Sequence, residues 1–290
     1  MAEPDSVSEG ADLGRDGQPV AATEVAPPGS AGARRIAEAF ARRSGAAALM
    51  PYLMAGFPTG EGAVDIGRVY AHEGADLVEL GLPFSDPLAD GPVIHAAGTR
   101  ALANGTTLED ALALCEGLAA DLPVVVMGYV NLVLARGAQA FARALVDAGA
   151  SGLIVPDLPL EESDEVLAAC DAAGLALVPL VAPTSPPQRL EAIGRRARGF
   201  VYAVSVVGTT GERTGLADHV GPLLERVKAA SPVPVALGFG ISTPAHATAA
   251  AAAGADGVIV ASRLMREAAD ATDPGAAVAP LVRGFRQALG

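Results

Sequence analysis

Basic residues are scarce in this sequence, and lysine is almost absent. The 290 residues include 20 Lys and Arg against 33 Asp and Glu, which gives a formal net charge of −13 at pH 7. Because nucleic-acid phosphates are bound by basic surfaces, this balance argues against nucleic acid as a partner. It remains compatible with a small phosphorylated ligand, since backbone N–H groups at the start of a helix bind an anion without lysine or arginine.

Cysteine and histidine are too few and too scattered to indicate a metal site. The two cysteines, Cys115 and Cys170, lie in Ala- and Leu-rich stretches, where a thiol is expected to pack as a small apolar group. There is no Cys-x-x-Cys pair, and no two of the four histidines have the spacing of metal ligands. We therefore expect no metal on this chain.

Long apolar runs are also missing, although half of the residues are apolar. Proline and glycine interrupt each apolar stretch before it reaches the length that crosses a bilayer. The N-terminus lacks the basic and then apolar pattern of a signal peptide. A fraction of 51% apolar residues is typical of a folded chain. These features predict a cytoplasmic protein with no membrane partner.

The first thirty residues differ in composition from the rest. Residues 1–30 are rich in proline and glycine and contain six acidic residues against a single arginine. Such a segment buries too little apolar surface to fold, so we predict a disordered acidic tail. The stretch GARRIAEAFARRS (32–44) then spaces Ile36 and Phe40 on one helical face, which predicts a short amphipathic helix. We expect residues 31–290 to form a single domain.

Short apolar runs alternate with Ala-rich helical stretches along the remaining chain. The runs are continuous rather than alternating, as in parallel strands that are buried on both faces. Eight such units in about 250 residues are typical of a (β/α)8 barrel. An open doubly wound sheet is the alternative, but its usual Gly-x-Gly-x-x-Gly first turn is absent. We therefore predict an α/β fold, a (β/α)8 TIM barrel with an extra N-terminal helix. The predicted strands lie within 47–56, 76–83, 123–129, 152–157, 175–183, 200–205, 234–240 and 257–262.

The carboxyl ends of the strands, where such barrels carry their active sites, offer carboxylates and tyrosines. Lys228 lies in a helical stretch, which disfavours a Schiff-base aldolase, and no histidine lies at a strand end, which disfavours a zinc enzyme. Glu79 stands between Val78 and Leu80 in an apolar strand. Burial would disfavour its charged form, and this suits a residue that gives and takes a proton near neutral pH. The alternative is a glutamate on a solvated rim or in a structural ion pair.

Other polar residues near the strand ends are open to two interpretations. Asp90 is either a hydrogen-bond acceptor in a mobile loop or a former of an Asp-Gly turn, and Asp86 precedes a proline, which favours a turn. Tyr202 is either a core residue or a site residue, and its hydroxyl needs a partner if it is buried. Asp157 is either a structural anchor or a ligand contact.

Three glycine- or small-residue-rich loops indicate a phosphate site. The loops after the last strands of this fold commonly hold phosphate, and small residues let backbone N–H groups approach an anion. Each loop alone fits ordinary turn geometry, but their convergence on one face of the barrel favours an anionic ligand. The loops are VGTTGERTG (207–215), GFGIS (238–242) and VASR (260–263).

Several motifs in order along the chain resemble the tryptophan synthase alpha subunit family. The similarity runs from about residue 33 to the C-terminus, and the motif after the second strand is long and specific. The matching segments are PYLMAGFP (51–58), ELGLPFSDPLADGP (79–92), MGYVN (127–131), VPDLPLEES (155–163), YAVSVVGTTGERTG (202–215) and GFGIS (238–242).

The resemblance implies a cleavage reaction that uses Glu79 and Asp90. Members of the family split indole-3-glycerol phosphate into indole and glyceraldehyde 3-phosphate by a retro-aldol reaction of L-tryptophan biosynthesis. The glutamate at the position of Glu79 is acid and base, including protonation of indole C3. The aspartate at the position of Asp90 accepts a hydrogen bond from the indole N–H. The tyrosine at the position of Tyr202 lies in the same pocket.

The resemblance also implies the substrate contacts and the partner. The phosphate is held by backbone around Gly211, Gly240, Ala261 and Ser262. The region of the indole ring is matched by Tyr52, Tyr129 and Phe239. No cofactor is expected on this chain, whereas a beta subunit that carries PLP receives the indole through a tunnel in an α2β2 heterotetramer. The loops after strands 2 and 6 close over the substrate and touch that partner.

Four residues depart from the family pattern. Ala261 and Arg263 stand where glycine and alanine are usual, Met54 stands where threonine is usual, and Val207 replaces a small polar residue. If the position of Ala261 requires a positive φ, alanine is strained there. If it requires only a free N–H, alanine is tolerated, and Arg263 adds a contact to the phosphate.

Three other functions are compatible with these residues. A free-standing lyase on the same fold would release indole for another pathway and would use the same side chains. A non-catalytic barrel would bind and activate a beta partner, and the departures at Ala261 and Arg263 leave that reading open. A different phosphate-binding barrel, such as a sugar-phosphate isomerase, is disfavoured because no histidine or lysine lies at a strand end.

Overall fold

The computed structural model describes residues 29–43, 45–204, 220–238 and 240–290, and strands alternate with helices through these ranges. The strands are β1 (Ala48–Met54), β2 (Val78–Gly81), β3 (Val124–Met127), β4 (Gly152–Ile154), β5 (Ala176–Val178), β6 (Leu180–Val181), β7 (Val201–Val204), β8 (Val235–Gly238) and β9 (Gly257–Val260). The helices are α1 (Ala31–Ala41), α2 (Gly60–His72), α3 (Pro92–Ala103), α4 (Leu108–Ala119), α5 (Val130–Arg136), α6 (Ala138–Asp147), α7 (Asp164–Ala173), α8 (Pro187–Arg196), α9 (Val220–Ala230), α10 (Pro244–Ala252), α11 (Ser262–Ala268) and α12 (Pro274–Leu289), with a 3-10 turn at Leu160–Glu162.

The strands form one parallel sheet that curves into a barrel. Their order is β5-β4-β3-β2-β1-β9-β8-β7-β6. The two edge strands, β5 and β6, follow one another in the chain and are separated by Pro179. Strand β5 pairs with β4 at one edge of the sheet, and β6 pairs with β7 at the other. Proline has no N–H to donate, which explains why the single strand predicted over 175–183 is divided in two. The predicted (β/α)8 barrel is confirmed, with nine short strands in the described residues in place of eight.

Helix α1 packs against the N-terminal ends of the strands. Ile36 and Ala39 are fully buried and belong to a cluster of inward-facing strand residues that includes Phe200. Gly32 lies so close to β4 that an added Cβ would stand 2.0 Å from the carbonyl oxygen of Ser151. The predicted amphipathic helix is therefore confirmed, and it fills the end of the barrel opposite to the strand carboxyl ends.

The predicted disordered tail falls almost entirely outside the described residues. Gly29 and Ser30 are described, and the Ser30 side chain accepts a hydrogen bond from the Ala33 N–H, 3.1 Å away, as the N-cap of α1. The tail over 1–30 and the single domain over 31–290 stay predictions.

Two Gly-Ala-Asp segments (74–76 and 254–256) join neighbouring strands in the same way. In each, the aspartate side chain accepts a hydrogen bond from a backbone N–H of the adjacent strand. Asp76 accepts the Leu49 N–H at 2.8 Å, and Asp256 accepts the Val235 N–H at 2.9 Å. Asp76 is only 4% exposed and also pairs with Arg43 at 2.6 Å and Arg286 at 2.7 Å. This buried carboxylate with its three partners stabilises the barrel at the N-terminal ends of its strands.

Replacing Asp76 with alanine is expected to destabilise the fold strongly. Asp76→Ala leaves two guanidinium groups and one strand N–H without their carboxylate, and breaking a buried ion pair costs about 3 kcal/mol or more. Asp65→Ala is the matched control, because Asp65 is half exposed and pairs with Arg68 at 3.4 Å. Urea unfolding measures both, and a loss for Asp76→Ala no larger than for Asp65→Ala would contradict this role.

Candidate active site

A cavity opens among the carboxyl ends of the strands. The space between its lining residues, including the part open to solvent at its mouth, is about 880 Å³. Side chains from β1, β2 and β7 line one part of it, together with the segment between β2 and α3 (82–91), here called the β2–α3 loop. The segments that follow β8 and β9 line the other part.

Glu79 projects into the cavity because of its position in β2. Val78 and Leu80 pack towards the helices, and alternation along the strand turns Glu79 to the inside of the barrel. The side chain is 2% exposed, and its Oε2 has no hydrogen-bond partner among the described residues. Burial, and secondly the nearby charge of Asp90, raise the pKa of Glu79 to about 8. This carboxyl is therefore protonated for much of the time at neutral pH and is able to exchange its proton there.

Asp90 lies in the β2–α3 loop and lines the same cavity. Burial raises its pKa to about 6, while a hydrogen bond from Tyr129 and the charge of His95 oppose that shift. The Asp90 N–H also donates to the Pro87 carbonyl at 3.2 Å. The residue thus closes a turn with its backbone and faces the cavity with its side chain. The two carboxyls titrate in different pH ranges, so at neutral pH one is mainly protonated and the other is mainly ionised.

Tyr52 and Tyr202 line the cavity on either side, and a glycine on the adjacent strand makes room for each hydroxyl. An added Cβ at Gly81 would lie 1.9 Å from the Tyr52 hydroxyl, and one at Gly238 would lie 2.1 Å from the Tyr202 hydroxyl. Sequence reasoning missed both glycines, although a glycine inside a buried strand is a sign of close approach. Burial first, and then Glu79 and Asp90, raise the pKa of both tyrosines, which keeps their hydroxyls protonated.

The opposite part of the cavity is formed by small residues and two arginines. Gly240 has a φ of +83°, which favours glycine, whereas Ala261 has a φ of −116°. Alanine is therefore unstrained at the position where the family usually has glycine. Arg263 and Arg266 also line the cavity, and the Arg263 guanidinium pairs with Glu267 at 2.5 Å. A cavity that is lined by arginines as well as carboxyls suits a ligand with an anionic group.

Other predicted residues make contacts around the cavity or lie outside the described residues. Tyr129 contacts the β2–α3 loop and is not among the described residues that line the cavity. The Asp157 side chain accepts the Val130 N–H at 2.9 Å, which makes it an anchor for the start of α5. Asp86 is exposed and accepts a hydrogen bond from the neighbouring serine. Gly211 and Phe239, both assigned to the substrate pocket, lie outside the described residues, as does the departure at Val207.

The remaining candidates for metal or thiol chemistry are inert in the described part of the chain. Cys115 and Cys170 are free and buried, and burial raises the pKa of each thiol to about 12. No group of three or more His, Cys, Asp and Glu side chains among the described residues is placed to hold a metal ion. The chemistry available in the cavity is therefore proton transfer by carboxyls and tyrosines.

Comparison with known proteins gives one consistent family. A family model described as tryptophan synthase alpha chain matches residues 39–284. The tryptophan synthase alpha chain of Gloeobacter violaceus is 50% identical over 242 residues, covering 83% of this chain and 87% of its own. That of Picosynechococcus is 46% identical over 233 residues, covering 80% and 88%.

Solved structures give the same result. A structure of Mycobacterium tuberculosis tryptophan synthase aligns with a TM-score of 0.82 at 39% identity, covering 88% of this chain and 98% of that one. A structure of the tryptophan synthase α2β2 complex of Pyrococcus furiosus aligns with a TM-score of 0.78 at 33% identity, covering 84% and 98%.

Proposed function

We propose, from the premise that this chain belongs to the tryptophan synthase alpha chain family, that Glu79 and Asp90 carry out its reaction. As an alpha chain it is a lyase of L-tryptophan biosynthesis, and it cleaves indole-3-glycerol phosphate to indole and glyceraldehyde 3-phosphate. The observation that carries the assignment of residues is a buried carboxyl with a pKa of about 8 beside a second carboxyl that ionises near 6 in one cavity.

Glu79 supplies and then recovers one proton. In the first step its protonated carboxyl donates to C3 of the indole ring, and the ring nitrogen takes up positive charge. In the second step the Glu79 carboxylate removes the proton of the hydroxyl on the adjacent side-chain carbon. The bond from that carbon to C3 breaks, its electron pair returns to the ring, and the aldehyde forms. Glu79 is protonated again at the end, which suits a carboxyl with a pKa near the operating pH.

Asp90 stabilises the charge that develops on the ring. Its carboxylate is ionised above about pH 6 and faces the cavity shared with Glu79. The ring N–H becomes a stronger donor as the nitrogen turns cationic, so a carboxylate that accepts from it stabilises the intermediate more than the substrate. Tyr202 and Tyr52 keep neutral hydroxyls in the same cavity and are able to donate to the reacting oxygen.

The substrate phosphate binds at the arginine end of the cavity. Gly240, Ala261 and Ser262 bring backbone groups to this end, and small residues allow an anion to approach them. Arg263 adds a positive charge where the family usually has alanine, and its pairing with Glu267 holds it at the cavity. The assignments of Gly211 to the phosphate and of Phe239 to the indole ring stay proposals.

Removing the charge of Arg263 is expected to weaken binding of the phosphorylated substrate. Arg263→Ala should raise KM about tenfold with little change in kcat, because a contact made equally in ground and transition states affects binding alone. Arg68→Ala is the matched control, since that side chain is 74% exposed on α2. Steady-state kinetics of indole release test this, and an unchanged KM for Arg263→Ala would remove Arg263 from the site.

The alpha chain carries no cofactor and works with a PLP-bearing beta chain in an α2β2 complex. Leu88, next to the cavity-lining Ala89 in the β2–α3 loop, is 84% exposed, and this exposed apolar side chain supports a contact of the loop with the partner. No helix in the described ranges is long and apolar enough to span a membrane. We also propose that the protein is cytoplasmic, as its sequence predicts.

Indole release from indole-3-glycerol phosphate, by the chain alone and with saturating beta subunit, tests the proposed function. A low rate that rises strongly with the partner is the expected result. A rapid rate that the partner does not change would indicate a free-standing lyase. Absence of indole under both conditions would leave a non-catalytic barrel that binds the partner.

A further inference from the structure

Tyr129 contacts the β2–α3 loop at three points. Its ring stacks on Phe84 with centroids 5.2 Å apart and planes inclined by 22°. Its hydroxyl oxygen accepts the Ala89 N–H at 3.1 Å, and the hydroxyl is close enough to the Asp90 side chain to lower the pKa of that carboxyl. The tyrosine is only 2% exposed, so these contacts are made inside the protein.

The hydrogen bonds of the Tyr129 hydroxyl have a fixed direction. A tyrosine hydroxyl has one proton to donate and lone pairs that accept. Because the Ala89 N–H donates to the oxygen, the hydroxyl proton is free to be donated to the Asp90 carboxylate. Burial, and secondly the charge of Asp90, raise the pKa of Tyr129, so the hydroxyl keeps this proton at all working pH values.

The backbone that carries Tyr129 is itself anchored. Tyr129 is the N-cap of α5, and the N–H of the next residue, Val130, donates to the Asp157 side chain at 2.9 Å. Asp157 follows β4, which belongs to the rigid barrel. By contrast, the hydrogen bonds within the β2–α3 loop join residues that are close in sequence. The Asp90 N–H donates to the Pro87 carbonyl, and the Ser85 hydroxyl donates to the Asp86 carboxylate.

We propose that Tyr129 is a positioning residue, which ties the β2–α3 loop to the barrel and holds the Asp90 side chain facing the substrate. The inference rests on the proposed role of Asp90 and adds a residue that acts through it. The resemblance instead assigns Tyr129 to the region of the indole ring, and that assignment stays a prediction.

Tyr129→Phe removes the hydroxyl but keeps the ring that stacks on Phe84, so this variant tests the contribution of the hydroxyl alone. We expect kcat to fall about tenfold with a smaller change in KM. The acid limb of the pH profile should move to higher pH, because Asp90 loses a donor that favours its ionised form. The other titratable groups that act on Asp90 stay in place in this variant. They are Glu79 on β2, His95 on α3, and the hydroxyls of Tyr52 on β1 and Tyr202 on β7.

Phe84→Leu is the matched variant that tests the ring stack between Phe84 and Tyr129. It removes the ring stack and leaves the hydroxyl bonds of Tyr129, so we expect KM to rise while the acid limb stays in place. A variant that only disturbed folding would change the midpoint of urea unfolding without moving the acid limb. An acid limb that moves equally in both variants, or in neither, would overturn the proposal.

A double-mutant cycle with Asp90→Asn tests whether Tyr129 acts through Asp90. If it does, Tyr129→Phe has little further effect once the carboxylate is gone. A full, additive loss in the double variant would overturn the inference while leaving the role of Asp90 intact. Near-normal activity of Asp90→Asn alone would instead contradict the proposed function of Asp90, and the inference with it. The two failures are therefore distinguishable in one set of assays.

Discussion

Glu79→Gln is expected to lower kcat for indole release by about 10³- to 10⁴-fold, at the upper end of what general acid–base catalysis contributes. Glutamine has nearly the shape of glutamic acid but neither donates to C3 nor accepts the hydroxyl proton. Both steps depend on the same carboxyl, so no second group compensates. KM should change only a few-fold, because the arginine end of the cavity is untouched.

The control for this loss is Asp86→Asn, which changes an exposed carboxylate of the β2–α3 loop that does not line the cavity among the described residues. It is expected to keep kcat within about twofold, in line with the small effects of most surface substitutions. Single-turnover assays with saturating beta subunit would separate the chemical step from product release. Retention by Glu79→Gln of a rate within tenfold of the wild type would remove Glu79 from the acid–base role.

The same substitution is expected to stabilise the fold at alkaline pH. Burial raises the pKa of Glu79 from 4.5 to about 8, so between these values the folded state binds more protons than the unfolded state. Stability from this group is fully present below about pH 4.5 and is lost as pH rises through 8. At 1.36 kcal/mol per pKa unit, the wild type loses on the order of 3–5 kcal/mol by pH 8.5. Glu79→Gln does not titrate and avoids this loss.

Urea unfolding of wild type and Glu79→Gln at pH 5 and pH 8.5 measures the difference. We expect the two proteins to differ by about 1 kcal/mol or less at pH 5, and the variant to be more stable at pH 8.5. The raised pKa of Asp90 adds a loss to both proteins over a lower pH range. A difference that is the same at both pH values would mean that Glu79 titrates normally. The expected gain in stability with loss of activity is typical of active-site residues.

The barrel and Glu79 were predictable because both follow from local patterns. Continuous apolar runs separated by helical stretches indicate buried parallel strands, and a lone glutamate within such a run is a candidate for burial, which the structure gives as 2% exposure. The amphipathic spacing of Ile36 and Phe40 similarly predicted α1. Pro179 was visible in the sequence, but its consequence, a strand divided between two partners, depends on which strands become neighbours.

Residues whose roles depend on distant partners were not predictable. Tyr129 is 40 positions from Ala89 in the chain, and only the fold brings its hydroxyl to the β2–α3 loop. Gly81 and Gly238 serve tyrosines on other strands, so their need for space appears only in the sheet. For Ala261 the sequence left two cases open, and its negative φ selects the unstrained one. Asp157 likewise had two readings until its bond to Val130 was known.

The central claim is that burial keeps Glu79 protonated near neutral pH, so that one carboxyl serves as acid and then as base. Difference infrared spectroscopy between wild type and Glu79→Gln, recorded across a pH titration, observes that carboxyl directly. The account predicts the carbonyl stretch of a protonated carboxylic acid that is lost with a midpoint near pH 8. A midpoint near 4.5, or no protonated carboxyl at neutral pH, would contradict it.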